Sequence, residues 1–265
     1  MAGLQALFQK GCQLQGVKEV DMLSIQGLIK KFGGLTAINN VSFEIEKGEL
    51  SSIIGPNGAG KTTLFNLMTG HLRPDSGKVI FNKKDITTLP PHEICRLGIG
   101  RSFQRINIFP RLSVFENVQS AVLAGQGKCT NIFSFSKNMC KEETIHVLET
   151  VELDDKKGFP AGLLSHGDQK RLEMGIALAL RPSLLLLDEP TAGMGPEETV
   201  GIAGLLDRVV RHQGLTAVFV EHDMSVVFGI SQKIRVMHLG EIIATGTPED
   251  IKADAQVQRI YLGEE

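Results

Sequence analysis

From Leu23 onward the apolar residues fall into short blocks, each about the length of a β-strand. Val41–Ile45 and Leu50–Ile54 come first, followed by a glycine-rich stretch and a helical pattern that begins at Lys61. Further blocks recur at Val79–Phe81, Leu184–Leu187, Thr216–Val220 and Ile234–Met237. Helical periodicity separates the later blocks, which is the alternation of a mainly parallel sheet covered by helices. The first two blocks read as an antiparallel pair that adds a β flank to this α/β core. No block approaches the roughly 18 consecutive apolar residues of a membrane-spanning helix.

Residues 105–165 break the rhythm. They contain two helical segments, Val114–Ala124 and Lys141–Val151, joined by a polar loop over Gly125–Asn138. A helical subdomain inserted into the α/β core accounts for this; a lid or a long irregular loop is the alternative. A later helix is legible in detail. Pro196 suits its first turn, Glu197 and Glu198 lie near the positive end of its dipole, and Gly214 ends it. Val200, Leu205, Leu206, Val209 and Val210 are assigned to its apolar face. Residues 1–21 read as a flexible extension ahead of the domain that spans 22–265, since they lack the basic start, apolar core and cleavage site of a secretory signal.

Composition narrows the classes. The 265 residues suit one large domain with a subdomain, with 42% apolar residues, 22% charged residues and a net charge of −2. That balance and the lack of a Lys/Arg cluster argue against a nucleic-acid partner. Cys12, Cys95, Cys129 and Cys140 are irregularly spaced, with no CxxC pair, so they read as isolated reduced thiols rather than a zinc site.

Two motifs carry chemistry. Gly55-Pro56-Asn57-Gly58-Ala59-Gly60-Lys61-Thr62 fits the phosphate-binding loop G-x-x-x-x-G-K-[ST], and Thr63 joins it in the nucleotide-binding set. Glycines let consecutive backbone N–H groups converge on a phosphate, Lys61 neutralises its oxygens, and the Thr62 hydroxyl suits Mg²⁺. The second is Leu184-Leu185-Leu186-Leu187-Asp188-Glu189. An apolar strand that ends in two acids delivers both carboxylates to the carboxyl edge of the sheet, where open α/β folds bind ligands. Phosphoryl transfer needs one carboxylate near Mg²⁺ and one group to orient or deprotonate water. Asp188 suits the first role and Glu189 the second. By itself an acidic strand end is more often a solvated turn, but downstream of a phosphate-binding loop the balance reverses. Together the motifs indicate an NTPase.

At Leu164-Ser165-His166-Gly167-Asp168-Gln169 the chain resembles the ABC transporter ATPases, whose signature is usually written LSGGQ. The resemblance runs from about Leu23 to Gly263 and implies a P-loop NTPase fold that hydrolyses ATP with Mg²⁺. It implies that Ser165 and Gly167 contact the γ-phosphate of ATP held by an opposite subunit. His166 and Asp168 depart from the pattern, where the family has glycine and glutamine. Gln104 matches the glutamine that touches Mg²⁺ and the γ-phosphate, His222 the switch histidine, and Phe32 the aromatic that stacks on adenine. In the D-loop segment Thr191–Pro196, Gly195 stands where the family commonly has Asp or Asn.

The chain is most similar to the ATPase subunits of branched-chain amino acid importers. Lys31–Leu35, Gly98–Gln104, Glu221–Met224, Gly246–Glu249 and Tyr261–Gly263 carry that narrower likeness. It implies a second ATPase subunit, identical or paralogous, two membrane permeases and an external solute-binding protein, with this subunit cytoplasmic on the inner face of the membrane. Subunits for urea or short amides look similar. A soluble ABC ATPase of DNA repair or translation would need a coiled-coil insertion or tandem domains, and a non-hydrolysing module would be expected to lack Lys61 or Glu189.

Overall fold

Leu50–Ile54 is buried at every position, whereas Leu35–Glu46 is fully buried only at Ile38, Val41 and Ile45. Continuous burial belongs to a strand covered on both faces, and interrupted burial to a strand covered on one. The computed structural model, which describes residues 21–102, 108–126 and 140–262, places the two segments in different sheets. They therefore do not form the antiparallel pair expected from the sequence. Leu35–Glu46 (β2) pairs instead with Asp21–Phe32 (β1), a strand that the block pattern did not single out. The start of β1 at Asp21 also draws the last residue of the expected extension into the fold; residues 1–20 lie outside the described residues.

After Leu50–Ile54 (β3) come Lys61–Met68 (α1), Ser76–Phe81 (β4), Lys84–Asp85 (β5), Pro91–Leu97 (α2) and Ile99–Arg101 (β6). Val114–Gly125 (α3), Lys141–Thr150 (α4) and His166–Ala179 (α5) follow, then Leu184–Asp188 (β7), Pro196–Gln213 (α6) and Thr216–Val220 (β8). Met224–Ile230 (α7), Lys233–His238 (β9), Glu241–Gly246 (β10), Pro248–Ala253 (α8) and Ala255–Leu262 (α9) end the described chain.

The central sheet has the order β10-β9-β3-β8-β7-β6, parallel except for β10, and the flank is antiparallel in the order β2-β1-β4-β5. Side chains alternate across the parallel sheet, so each face has its own core. Ile53, Leu186, Val218, Val220 and Met237 pack with α1 and the flank strands. Ile54, Leu185, Leu187, Phe219 and Val236 pack with the helices of the other layer. Full burial of one such aliphatic side chain is worth about 1.5–3 kcal/mol.

The helical layer includes α3, which packs on α4 and α5. Ser113 caps α3 by accepting from the Glu116 backbone N–H, and the Glu116 carboxylate accepts from the Ser113 N–H in return. Most of the expected loop at Gly125–Asn138 lies outside the described residues. Helix α6 starts with Pro196 in its first turn and ends at Gly214, as expected, but Val200 is 72% exposed. The buried stripe passes through Thr199, Ile202 and Ala203 instead, which carries Val200 round to the solvent side. Among the described residues no helix is long and apolar enough to cross a membrane.

Candidate active site

Strand register assembles the site. Val220 is paired with Ile53 on one side and with Asp188 on the other, so β3, β8 and β7 end in one row at the carboxyl edge of the sheet. Just beyond these strand ends lie the phosphate-binding loop after β3, Glu221 and His222 after β8, and Glu189 after β7. A fourth contributor arrives from the flank. Phe32 and Leu35 pair across the two-residue turn Gly33-Gly34, which puts Phe32 at a hairpin tip, 46% exposed.

These pieces enclose a cleft of about 500 Å³ lined by Phe32, Asn57 to Thr63, Glu189, His222 and Leu239. Gly60 caps α1 with φ +105°, and a Cβ there would meet the Ala37 carbonyl oxygen at 2.6 Å. Only glycine fits both demands. Lys61 is folded back within its own loop: Nζ donates to the Gly55 carbonyl at 2.6 Å and to the Pro56 carbonyl at 3.1 Å. Burial pulls the Lys61 ammonium below the ordinary lysine range, and the charges of Glu189 and Asp188 oppose that pull. Thr62 is exposed beside it.

The two acids of β7 have different surroundings. Asp188 is 2% exposed, and its Oδ2 lies 3.3 Å from Nη2 of Arg101. Burial raises the Asp188 carboxyl above the usual carboxylate range, while Arg101 opposes the rise. Its Oδ1 is buried without a hydrogen-bond partner among the described residues. Glu189 adopts φ +50°, a region costly for a side chain with a Cβ, and its N–H donates to the Val220 carbonyl at 2.9 Å. Its Oε1 lies 3.3 Å from Nε2 of His222, and both side chains face the cleft.

The signature segment is elsewhere. Ser165 is the N-cap of α5 and accepts from the Asp168 N–H at 3.1 Å. Gly167 packs against the start of α6, where an added Cβ would meet Glu198 Oε1 at 2.7 Å. Gly195 caps α6, and its N–H donates to Glu198 Oε2 at 3.4 Å. Neither Ser165 nor Gly167 lines the cleft. Gln104 lies outside the described residues.

The ABC transporter family profile matches residues 38–192, from β2 through the acidic strand end to the start of the D-loop segment. The chain belongs to the ABC transporter family of ATP-binding proteins. A second profile, the branched-chain amino acid ATP-binding cassette transporter, matches residues 241–265. The high-affinity branched-chain amino acid transport ATP-binding protein LivG of Salmonella typhimurium is 38% identical, over 92% of this chain and 98% of that protein. Its counterpart BraF of Pseudomonas aeruginosa is 39% identical over the same shares. A crystal structure of the ADP conformation of an ATP-binding cassette of an ABC transporter superposes with a TM-score of 0.82 at 32% identity, covering 92% of this chain and all of that one. A dimeric cassette in a post-hydrolysis state with ADP and Pi gives 0.73 at 28%, covering 86% and 99%.

The oxygen donors of this cassette fit a small hard cation. Asp188 supplies a buried carboxylate oxygen that nothing else in the described chain engages, and Thr62 supplies a hydroxyl at the start of α1. Two charged residues beside the site received no role from the sequence. Arg101 ends β6 and reaches Asp188. Glu221 is 4% exposed; its Oε1 accepts from the Thr191 N–H at 2.8 Å and hydroxyl at 2.6 Å, and its Oε2 from the His222 N–H at 3.0 Å. It ties the segment after Glu189 to the backbone of His222. The available signal was a charge at the end of a core strand, which becomes a site signal only once the register is known.

Proposed function

We propose that this chain is the ATP-binding and ATP-hydrolysing subunit of an importer for leucine, isoleucine and valine. The observation that carries the hydrolytic part is the approach of His222 and Glu189 at 3.3 Å on the edge of the cleft that holds the phosphate-binding loop. In this reading the backbone of Asn57 to Thr63 cradles the phosphates, and Lys61 exchanges its two loop carbonyls for phosphate oxygens. Phe32 receives the adenine face. Glu189 orients the attacking water and accepts its proton, while His222 steadies that carboxylate and the γ-phosphate. Gln104, by resemblance, joins Thr62 and Asp188 around magnesium. Bound magnesium supplies charge neutralisation and orientation at the phosphates.

Two such subunits, identical or paralogous, sandwich two ATP molecules, with Ser165 and Gly167 of each completing the other's site. The likeness to a dimeric cassette and the absence of both residues from the cleft of their own chain support this arrangement. The subunit then works at the inner face of the membrane against two permeases, supplied by an external solute-binding protein. The match at residues 241–265, together with LivG and BraF, supports the branched-chain cargo. Uptake by the complex reconstituted with its permeases should depend on ATP and should favour leucine, isoleucine or valine. Uptake of urea with no branched-chain amino acid would refute the cargo and leave the motor standing.

A further inference from the structure

Arg101 occupies the junction of three elements of the nucleotide site. It is the last residue of β6, its side chain is 9% exposed, and it lies over the Phe65 ring at 5.9 Å. Nη1 donates to Asn66 Oδ1 at 2.7 Å and to Thr69 Oγ1 at 3.1 Å, both on or just beyond α1, the helix that follows the phosphate-binding loop. Nη2 reaches Asp188 Oδ2 at 3.3 Å. One planar guanidinium thus spans from α1 to β7 and is held on the α1 side by two acceptors. A fixed fork of this kind orients its carboxylate partner, which a flexible ammonium does poorly. The outcome is visible at Asp188: one oxygen is engaged, and the other is buried with no partner among the described residues.

We propose that Arg101 is a positioning residue for the metal: clamped by Asn66 and Thr69, it holds Asp188 by Oδ2 and thereby reserves Oδ1 for magnesium. The proposal rests on the nucleotide reading of the site and adds to it a residue that touches neither nucleotide nor metal. It opposes the simple electrostatic expectation. A guanidinium near a metal site repels the cation, so on charge alone its removal would tighten magnesium binding. If its orienting role dominates, removal loosens the metal, and loss of an outer partner of a metal ligand typically costs about 10–100-fold in affinity.

The test titrates magnesium against a fluorescent non-hydrolysable ATP analogue bound to the full chain, with a parallel measurement in EDTA. Arg101→Met is expected to raise the magnesium concentration at half-saturation by about 10–100-fold, with metal-free binding unchanged. Arg101→Lys, which keeps the charge and loses the fork, should fall between parent and Arg101→Met. Asn66→Ala, which keeps Arg101 and loosens its clamp, should shift the midpoint in the same direction by a smaller factor. Should Arg101→Met fail to fold because buried Asp188 loses its ion-pair partner, the lysine and Asn66 variants carry the test. A midpoint unmoved in Asn66→Ala, or unmoved or lowered in Arg101→Met, would overturn the positioning role while the nucleotide reading stands. A parent chain that binds no nucleotide with or without magnesium would overturn that reading and the inference with it.

Discussion

The nucleotide cleft and the N-terminus of α5 both offer groups suited to phosphate, but they are built differently. In the cleft, β3, β7, β8 and the β1–β2 turn each contribute a side chain or a loop, and the strand register makes them converge. At α5 a single helix end offers Ser165, itself exposed, beside a glycine pressed against Glu198. The first is a nearly complete site within one chain. The second offers donors that lie apart from the cleft, and in the proposed sandwich it would receive its ligand from another subunit. In that reading the proposed catalytic residues belong to the fold of the chain and the signature to assembly, and substitutions in the two regions should separate accordingly.

The largest effect is expected within the cleft. Glu189→Gln should lower the single-turnover hydrolysis rate by about 10²–10⁴-fold while ATP still binds. A parental rate would remove Glu189 as the base and leave the comparison without its catalytic half. Lys61→Ala should come next, weakening ATP binding by about 10–100-fold, the 1.5–3 kcal/mol of a charge-assisted contact. Isothermal titration reads that directly, and dimer formation with ATP should fail in step with it.

The α5 end should respond in assembly before it responds in stability. With ATP, the Glu189→Gln chain is expected to dimerise in sedimentation velocity, because ligand that bridges two subunits shifts the equilibrium by mass action. Ser165→Arg on that background should weaken the dimer by about ten-fold or more, roughly 1.4 kcal/mol, with ATP binding to the monomer retained. An unchanged monomer of the Glu189→Gln chain with ATP, alone and with a second ATPase subunit, would refute the sandwich. The smallest effect belongs to Ser165→Ala. Loss of the cap to the Asp168 N–H should cost about 1 kcal/mol, which lowers the melting temperature by about 2–4 °C for a domain of this size. A larger drop would mean that α5 depends on its cap more than its packing on α3 suggests.

Much of the cleft is legible in the sequence. The phosphate-binding loop and the acidic strand end are contiguous, and their chemistry is local to a few residues. His222 and Phe32 were found only through resemblance, because a lone histidine or phenylalanine has no spacing that announces a role. The strand pairing of the flank was misread for a related reason. The runs Val41–Ile45 and Leu50–Ile54 are neighbours in sequence, and proximity was taken for pairing. The difference between them, interrupted against continuous burial, reflects what covers each face. Val200 was misassigned because a valine counts toward a helix's apolar face until packing decides which turn is covered.

By itself the sequence determined the α/β alternation, the phosphate-binding loop, the acid pair and the family, since each is written in consecutive residues or in a fixed period. Only the tertiary structure decided that Val220 stands between Ile53 and Asp188, that Arg101 bridges α1 and β7, and that Glu221 locks Thr191 to His222. Apart from Glu221 and its neighbour His222, these side-chain contacts join residues far apart in the chain: 30 positions for Thr191 and Glu221, 35 for Arg101 and Asn66, and 87 for Arg101 and Asp188. The physical reason is that a hydrogen bond or an ion pair depends on distance in space, and no periodicity along the chain encodes which strands will lie side by side.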